Sequence, residues 1–286
     1  MKLKITTGST ETLKHTLGAI IAIRKFCVFR FTPDTLTIIS ASLSEPQIWS
    51  TIAATAFLTY EVESVRDNIV SVELNIEPLL QVLRSFHKTA SSDQLNIRLQ
   101  RKNAVHGQRS ASLALFYTEQ NASGHLITNT FRIPVRVLNK ESDERILEPL
   151  LTKVDVLIKL PLGITSLFKR IERYKRTDKV TVTGTRNGYL GLTIKEDGLK
   201  VTMSWNALLD VSEDERGSQS QSQHEVGPDE PLSVDVKLKD WRLGAKMCDF
   251  CSKVVLIISR GEALVIHCYS DDDQSEIIYF LSSVSG

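Results

Sequence analysis

Long apolar runs are missing from this chain of 286 residues. The longest, residues 17–23, falls far short of the roughly 20 that a membrane-spanning helix needs, and no apolar leader follows Met1. A soluble, non-secreted protein with no membrane partner is therefore expected. Cysteine is scarce as well: Cys27, Cys248, Cys251 and Cys268 are too few for a disulfide framework, which fits a reducing compartment. The sequon at Asn121-Ala122-Ser123 is then expected to stay unglycosylated. Phosphate-cradling glycine motifs, a nucleophile elbow and a zinc-protease helix are all lacking. No enzyme and no cofactor are expected, although a hydrolase with a site of another kind stays open as an alternative. A charge excess of one sign is lacking too, since the formal net charge is +1. That balance argues against a nucleic-acid partner until its distribution is considered.

What the chain has is apolar content, 42% hydrophobic against 24% charged residues, enough for two ordinary domains. It also has an order that recurs four times: an alternating strand, one amphipathic helix, then three short strands. The first unit reads as a strand at 2–7, a helix capped by Ser9 and running to about Lys25, and strands at 26–31, 35–40 and 47–52, with Thr32-Pro33-Asp34 as a turn. The second reads as a strand at 69–74, a helix after the cap Asn75 to about Lys88, and strands at 95–100, 111–117 and 130–135. The third has a strand at 154–160, a helix from Pro161 to about Lys175, and hairpins turning at Asn187-Gly188 and Asp197-Gly198. The fourth starts at Leu232, with a helix at 237–247 and strands at 253–259, 263–267 and 276–281.

The pattern predicts an α+β protein of two similar domains, 1–135 and 154–286, joined by a charged connector at 136–153. Helices lie on one side of each domain and antiparallel strands on the other. Residues 210–231 are rich in Ser, Gln, Glu, Asp and Gly and read as a flexible loop.

The distribution of charge changes the electrostatic picture. The four predicted helices hold 14 basic and 4 acidic side chains, and the remaining chain holds 21 and 30. The helices are basic and the rest is acidic. Lys14 and Lys25 share a face of the first helix with Gly18 and Ala22. Arg84 and Lys88 belong to the second. Lys169, Arg170, Arg173 and Arg176 oppose the apolar stripe of the third, and Lys239, Arg242 and Lys246 share a face of the fourth. Such a surface suits sequence-independent binding of double-stranded DNA, whose phosphates are held without reading bases. The competing explanation is that exposed helix faces are commonly charged, but that predicts mixed signs.

At the level of particular residues the chain resembles a known family. Met1-Lys2-Leu3-Lys4, Phe29-Arg30-Phe31-Thr32-Pro33-Asp34-Thr35-Leu36-Thr37-Ile38-Ile39, Gln47-Ile48-Trp49-Ser50-Thr51-Ile52, Phe131-Arg132-Ile133-Pro134-Val135-Arg136-Val137 and residues 154–161 are similar to the Hus-one (fungal Mec-three) subunit of the heterotrimeric 9-1-1 DNA-damage checkpoint clamp. The likeness runs in order along nearly the whole chain, and its motifs are structural.

The resemblance implies the DNA-clamp (processivity) fold, with helices on the inner face of a ring and sheets outside. It also implies a nuclear scaffold that encircles DNA, with Rad-nine-like and Rad-one-like subunits, an ATP-driven clamp loader, and a checkpoint kinase and repair factors as partners. Thr130, Phe131, Arg132 and Ile133 in one domain, and Lys200, Val201, Thr202 and Met203 in the other, would then be edge strands that ring closure pairs. The connector resembles the interdomain loop beside which clamps bind client peptides; Leu138, Ile146, Leu147 and Leu150 would either form part of a groove or anchor the crossing segment. The alternative on the same fold is a homotrimeric replication processivity clamp.

Three further constellations have local explanations. Cys248 and Cys251 with His267 and Cys268 approach zinc-ligand spacing, yet adjacent strand residues point to opposite faces, so no metal site is expected. Asp271-Asp272-Asp273 lacks the spacing of a calcium loop. Ser218, Ser220 and Ser222, each followed by Gln, resemble checkpoint-kinase targets in an exposed loop, where neutral low-complexity sequence is the other explanation.

Overall fold

A computed structural model describes the chain apart from residues 42–45, 90–93, 104–108, 121–122, 162, 165–167, 175, 197, 211–226, 271–273 and 285–286. Asp197, Ser218, Ser220, Ser222 and the Asp271–Asp273 run fall outside the described residues. Two compact units are present: one holds Met1–Ala41 and Trp49–Leu147, and the other includes Glu148–Gly286.

In the first unit β1 (Lys2–Thr7), α1 (Glu11–Ile21), β2 (Phe26–Phe31), β3 (Thr35–Ser40), β4 (Gln47–Ala53) and β5 (Thr59–Glu63) are followed by β6 (Val70–Asn75), α2 (Ile76–Thr89), β7 (Leu95–Asn103), β8 (Arg109–Gln120), β9 (Leu126–Val137) and a short helix α3 (Lys140–Glu144). The strands lie in the order β4-β3-β2-β6-β9-β8-β7-β1-β5. Alternation decides which faces are buried: along β2, Cys27, Phe29 and Phe31 are buried while Phe26, Val28 and Arg30 are less so. In α2, Ile76, Leu79, Leu80, Leu83 and Phe86 recur at helical spacing and are buried. Asn75 caps this helix, its side-chain oxygen accepting from the Glu77 N–H at 3.0 Å.

In the second unit β10 (Val156–Leu160), a 3-10 turn (Lys169–Arg173), β11 (Lys179–Gly184), β12 (Leu190–Glu196), β13 (Leu199–Trp205) and β14 (Leu209–Asp210) precede β15 (Leu232–Lys237), α4 (Leu238–Met247), a 3-10 turn (Cys248–Phe250), β16 (Lys253–Ser259), β17 (Ala263–Tyr269) and β18 (Ser275–Ser282). One sheet runs β14-β10-β16-β17-β18 and the other β13-β12-β11-β15. Trp241 of α4 is fully buried, and the Tyr279 hydroxyl from β18 donates to the Asp240 carbonyl at 3.0 Å. Gly188 has φ +81°, and a Cβ there would meet the Leu208 carbonyl oxygen at 2.2 Å, so the hairpin after β11 needs a glycine.

The α+β clamp order expected from the sequence is present, with some differences. α1 ends at Ile21, leaving Lys25 outside it, and the Lys25 carbonyl instead accepts from the Ile76 N–H at 2.8 Å. Of the expected helix from Pro161 to Lys175, the described residues show Phe168 in α-helical form, its N–H donating to the Ile164 carbonyl at 3.4 Å, and then a 3-10 turn at Lys169–Arg173. Gly163 lies in the left-handed region at φ +84°, so helical turns begin after it rather than at Pro161. β5 has no counterpart in the sequence expectation. Residues 136–153 are not uniformly a connector: Arg136 and Val137 pair with Glu73 and Val72 of β6, and α3 follows, capped by Asn139. Among the described residues no helix is long and apolar enough to cross a membrane.

Candidate nucleic-acid interface and subunit edges

The basic residues divide into two groups. On the first unit Lys14 pairs with Glu11 of its own helix, and Lys25 pairs with Glu77 at 2.9 Å. Arg84 is exposed on α2, and Lys88 lies in that helix's last turn. On the second unit Arg176, Lys239 and Arg242 line one cleft of about 920 Å³ together with Lys179, Lys195 and Lys237. Its acidic members are Asp178 and Glu196. Lys179, Lys195 and Lys237 are ends of β11, β12 and β15 that converge beside α4. Counting charges on helices alone misses the two that belong to β11 and β12, whereas Lys at strand ends was the available signal. Lys246, on the last turn of α4, and Arg170 and Arg173, on the 3-10 turn that also carries Lys169, are exposed outside the cleft.

Arg242 departs from the expectation of a free cation. It is half-buried, and its Nη2 donates to the Tyr174 carbonyl at 2.8 Å and the Ile171 carbonyl at 3.5 Å. The guanidinium is directed inward, sewing α4 to the turn at Lys169–Arg173.

Among the described residues, β9 and β13 keep open backbone edges, as do the terminal strands β5, β14 and β15. β9 pairs with β8 along residues 126–135, but among the described residues its opposite edge is paired only at Arg136 and Val137. β13 is the last strand of its sheet and, among the described residues, pairs only with β12. Thr130 and Arg132 are exposed and Phe131 half-buried, whereas Ile133 is buried in the core, with its side chain directed away from any partner. Lys200 and Thr202 are exposed, with Val201 and Met203 half-buried between them. Ile127 on β9 is 42% exposed and Leu199 on β13 is 55% exposed.

The four connector residues do not form one groove. Leu138 is buried, its N–H donating to the Ser71 carbonyl at 2.9 Å and its carbonyl accepting from Arg66 at 3.1 Å, so it is an anchor. Ile146 and Leu147 line a cleft of about 380 Å³ on the first unit with Arg30, Val65, Arg66 and Ile69. Leu150 is 83% exposed. The segment is tied down by Asp143, which faces both Arg30 at 3.0 Å and Arg66 at 2.8 Å. Arg30 also donates to the carbonyls of Asp143 and Ile146.

His267 and Cys268 point to opposite sides of β17. His267 is bonded to Glu276 at 2.9 Å and to the Tyr269 hydroxyl at 3.1 Å, whereas Cys268 is buried. Among the described residues no group of three His, Cys, Asp or Glu side chains is arranged to hold a metal ion.

The same architecture occurs in solved structures of proliferating cellular nuclear antigen. The protein from Entamoeba histolytica superposes with a TM-score of 0.71 at 14% identity over 99% of each chain. That from Thermococcus kodakaraensis gives 0.69 at 14% identity over 98% of this chain and 99% of its own. The fold is thus that of a sliding clamp. Within that class the sequence matches the family described as Hus1-like protein over residues 1–285, and the chain belongs to this family of checkpoint clamp subunits. Relatives include the DNA damage checkpoint control protein MEC3 of Eremothecium gossypii, 27% identical over 99% of both chains. The checkpoint protein hus1 of Schizosaccharomyces pombe is 28% identical, also over 99% of both.

Proposed function

We propose that this chain is one subunit of a ring-shaped, non-enzymatic checkpoint clamp that encircles double-stranded DNA in the nucleus and recruits signalling and repair factors. The observation that carries the proposal is that β9 and β13, the edge strands expected from the sequence, each keep an open edge, one on each unit of a clamp-fold chain. An unpaired edge is a template for another chain, and two unlike edges per subunit are what closing a ring requires. Rad-nine-like and Rad-one-like subunits supply the complementary edges, and an ATP-driven loader opens the ring. The two units are the two clamp domains, joined in sequence after Leu147, and the cleft around Lys195 and Lys239 contributes to the DNA-facing charge. The cleft beside Ile146 and Leu147 receives clients.

Measuring mass in solution, for the chain alone and with its two candidate partners, tests this reading. A monomer alone and a 1:1:1 complex in the mixture are expected, and that complex is retained on closed circular DNA but slides off linear DNA. A homotrimer formed by the chain alone would assign it to the replication-type alternative.

A further inference from the structure

Three of the four thiols meet at the end of α4, in a place that neither the basic cleft nor the strand edges use. A Cβ on Gly244 would lie 2.7 Å from both Ile266 and Tyr279, which shows how closely α4 approaches β17 and β18 there. Cys248 is one helical turn beyond Gly244, and Cys268 is two residues beyond Ile266, steps of about 6 Å and about 7 Å in the two elements. The Sγ atoms of Cys248 and Cys251 turn back toward the helix, donating to the carbonyls of Gly244 at 3.4 Å and Met247 at 3.7 Å. Val254 pairs with Cys268, and the N–H of Ser252, next to Cys251, donates to the Tyr269 carbonyl at 3.3 Å, so the segment that carries Cys251 lies against the Cys268 end of β17, where both thiols raise the Cys268 proton affinity. Cys248 and Cys268 are buried, but Cys251 is half-exposed. Together with Pro161, Ile164 and Val254 it lines a cavity of about 260 Å³. The buried Cys248 lines the same cavity and Cys268 does not, so a small oxidant has a path to the cluster at which Cys251 is the more exposed thiol.

We propose that Cys251 and Cys268 are a redox-controlled pair whose disulfide staples the end of α4 to β17. A hydroperoxide enters by the cavity and the Cys251 thiolate attacks it. The O–O bond breaks, hydroxide (or alkoxide) leaves, and Cys251 becomes a sulfenic acid. Cys268 then attacks that sulfur: the S–S bond forms, the S–O bond breaks, and the hydroxyl departs as water with the Cys268 proton. The two sulfurs lose two electrons between them and the peroxide gains them. The thiol neighbours of Cys268, together with its burial, hold its proton well above the ordinary thiol range. The second step is accordingly slow at neutral pH and quickens as pH rises.

The test is to expose the folded, full-length protein to hydrogen peroxide, block remaining thiols with an alkylating agent under denaturing conditions, and map peptides without reduction. A mass lower by two hydrogens and a Cys251–Cys268 peptide pair, both reversed by dithiothreitol, are expected, with Cys27 still alkylated. The oxidised protein should melt above the reduced one. Cys251→Ser should abolish the bridge and Cys248→Ser should keep it; the mapping of the unsubstituted protein decides by itself if a variant fails to fold. Full alkylation of all thiols after peroxide, any other pairing, or oxidation that ends at a Cys251 sulfinic acid would overturn the proposal.

Discussion

Arg66 Nη2 stands 2.8 Å from Asp143 Oδ2, joining residues that are 77 positions apart in the chain. The carboxylate is only 6% exposed and the guanidinium 22%, so the pair is largely withdrawn from solvent. Arg30 occupies the other oxygen. Removing Asp143 leaves two partly buried cations facing one another, and Asp143→Ala should destabilise the first unit by roughly 3 kcal/mol. Urea unfolding and limited proteolysis near α3 check this; cleavage there should appear before any elsewhere in the first unit.

The basic cleft separates binding from folding. Lys239→Ala in the cleft, with Lys246→Ala outside it on the same helix, removes two exposed ammonium groups without touching the core. The melting temperature should stay put, while the slope of log affinity for DNA against log salt falls by about 2. Arg242→Ala should instead cost about 1–2 kcal/mol of stability, because the carbonyls of Ile171 and Tyr174 lose their donor. Fluorescence anisotropy and calorimetry on the same samples distinguish the two outcomes.

Single carboxylates at the strand edges should interrupt assembly while sparing the monomer. Ile127→Asp on β9 and Leu199→Asp on β13 each place a charge on an exposed position. Each should weaken binding to a different partner subunit by at least about tenfold, an effect of about 1.4 kcal/mol. Pairwise pull-downs and the melting temperature of the isolated chain provide the readout.

Two carboxyls beside β17 give opposite pH effects. The His267 hydrogen bond holds Glu276 below the usual carboxylate range, against the opposing effect of burial. Its contribution to stability is present above the unfolded value and is lost as pH falls through the depressed folded one. Burial first, then the charge of Glu276, raises Glu148. Ionising Glu148 in the folded state therefore costs stability as pH rises through the carboxylate range. Glu148→Gln should raise the melting temperature slightly at pH 7, by roughly 1 °C given its partial exposure, and leave it unchanged at pH 3.

Much of the fold was legible because local patterns and burial agree. β2, β3 and β16 fall where alternating apolar residues place them, and α4 follows its apolar spacing to Met247. The third helix differs at its boundaries: Gly163 turns the chain after Pro161, and Lys169 to Arg173 tighten to 3-10 form, where Lys169 and Arg173 would repel at the α-helical spacing of four. β5 was invisible locally, since its Glu61 and Glu63 are matched by Lys2 across the sheet. The same reason hid the Arg30, Arg66 and Asp143 cluster, whose members are scattered along the chain until the sheet gathers them. Lys179 and Lys195 escaped because their shared cleft arises only where strand ends meet α4.

The open edges of β9 and β13 differ in kind: β9 is twelve residues long and carries Arg132 and Pro134, whereas β13 is seven long and carries Lys200. A subunit that joins its neighbours through such unlike seams has a front and a back, as a link in a chain fastened hook to eye does. Anything threaded through the closed loop would meet the same face first on every circuit, so handedness along the DNA would be settled at the moment of closure.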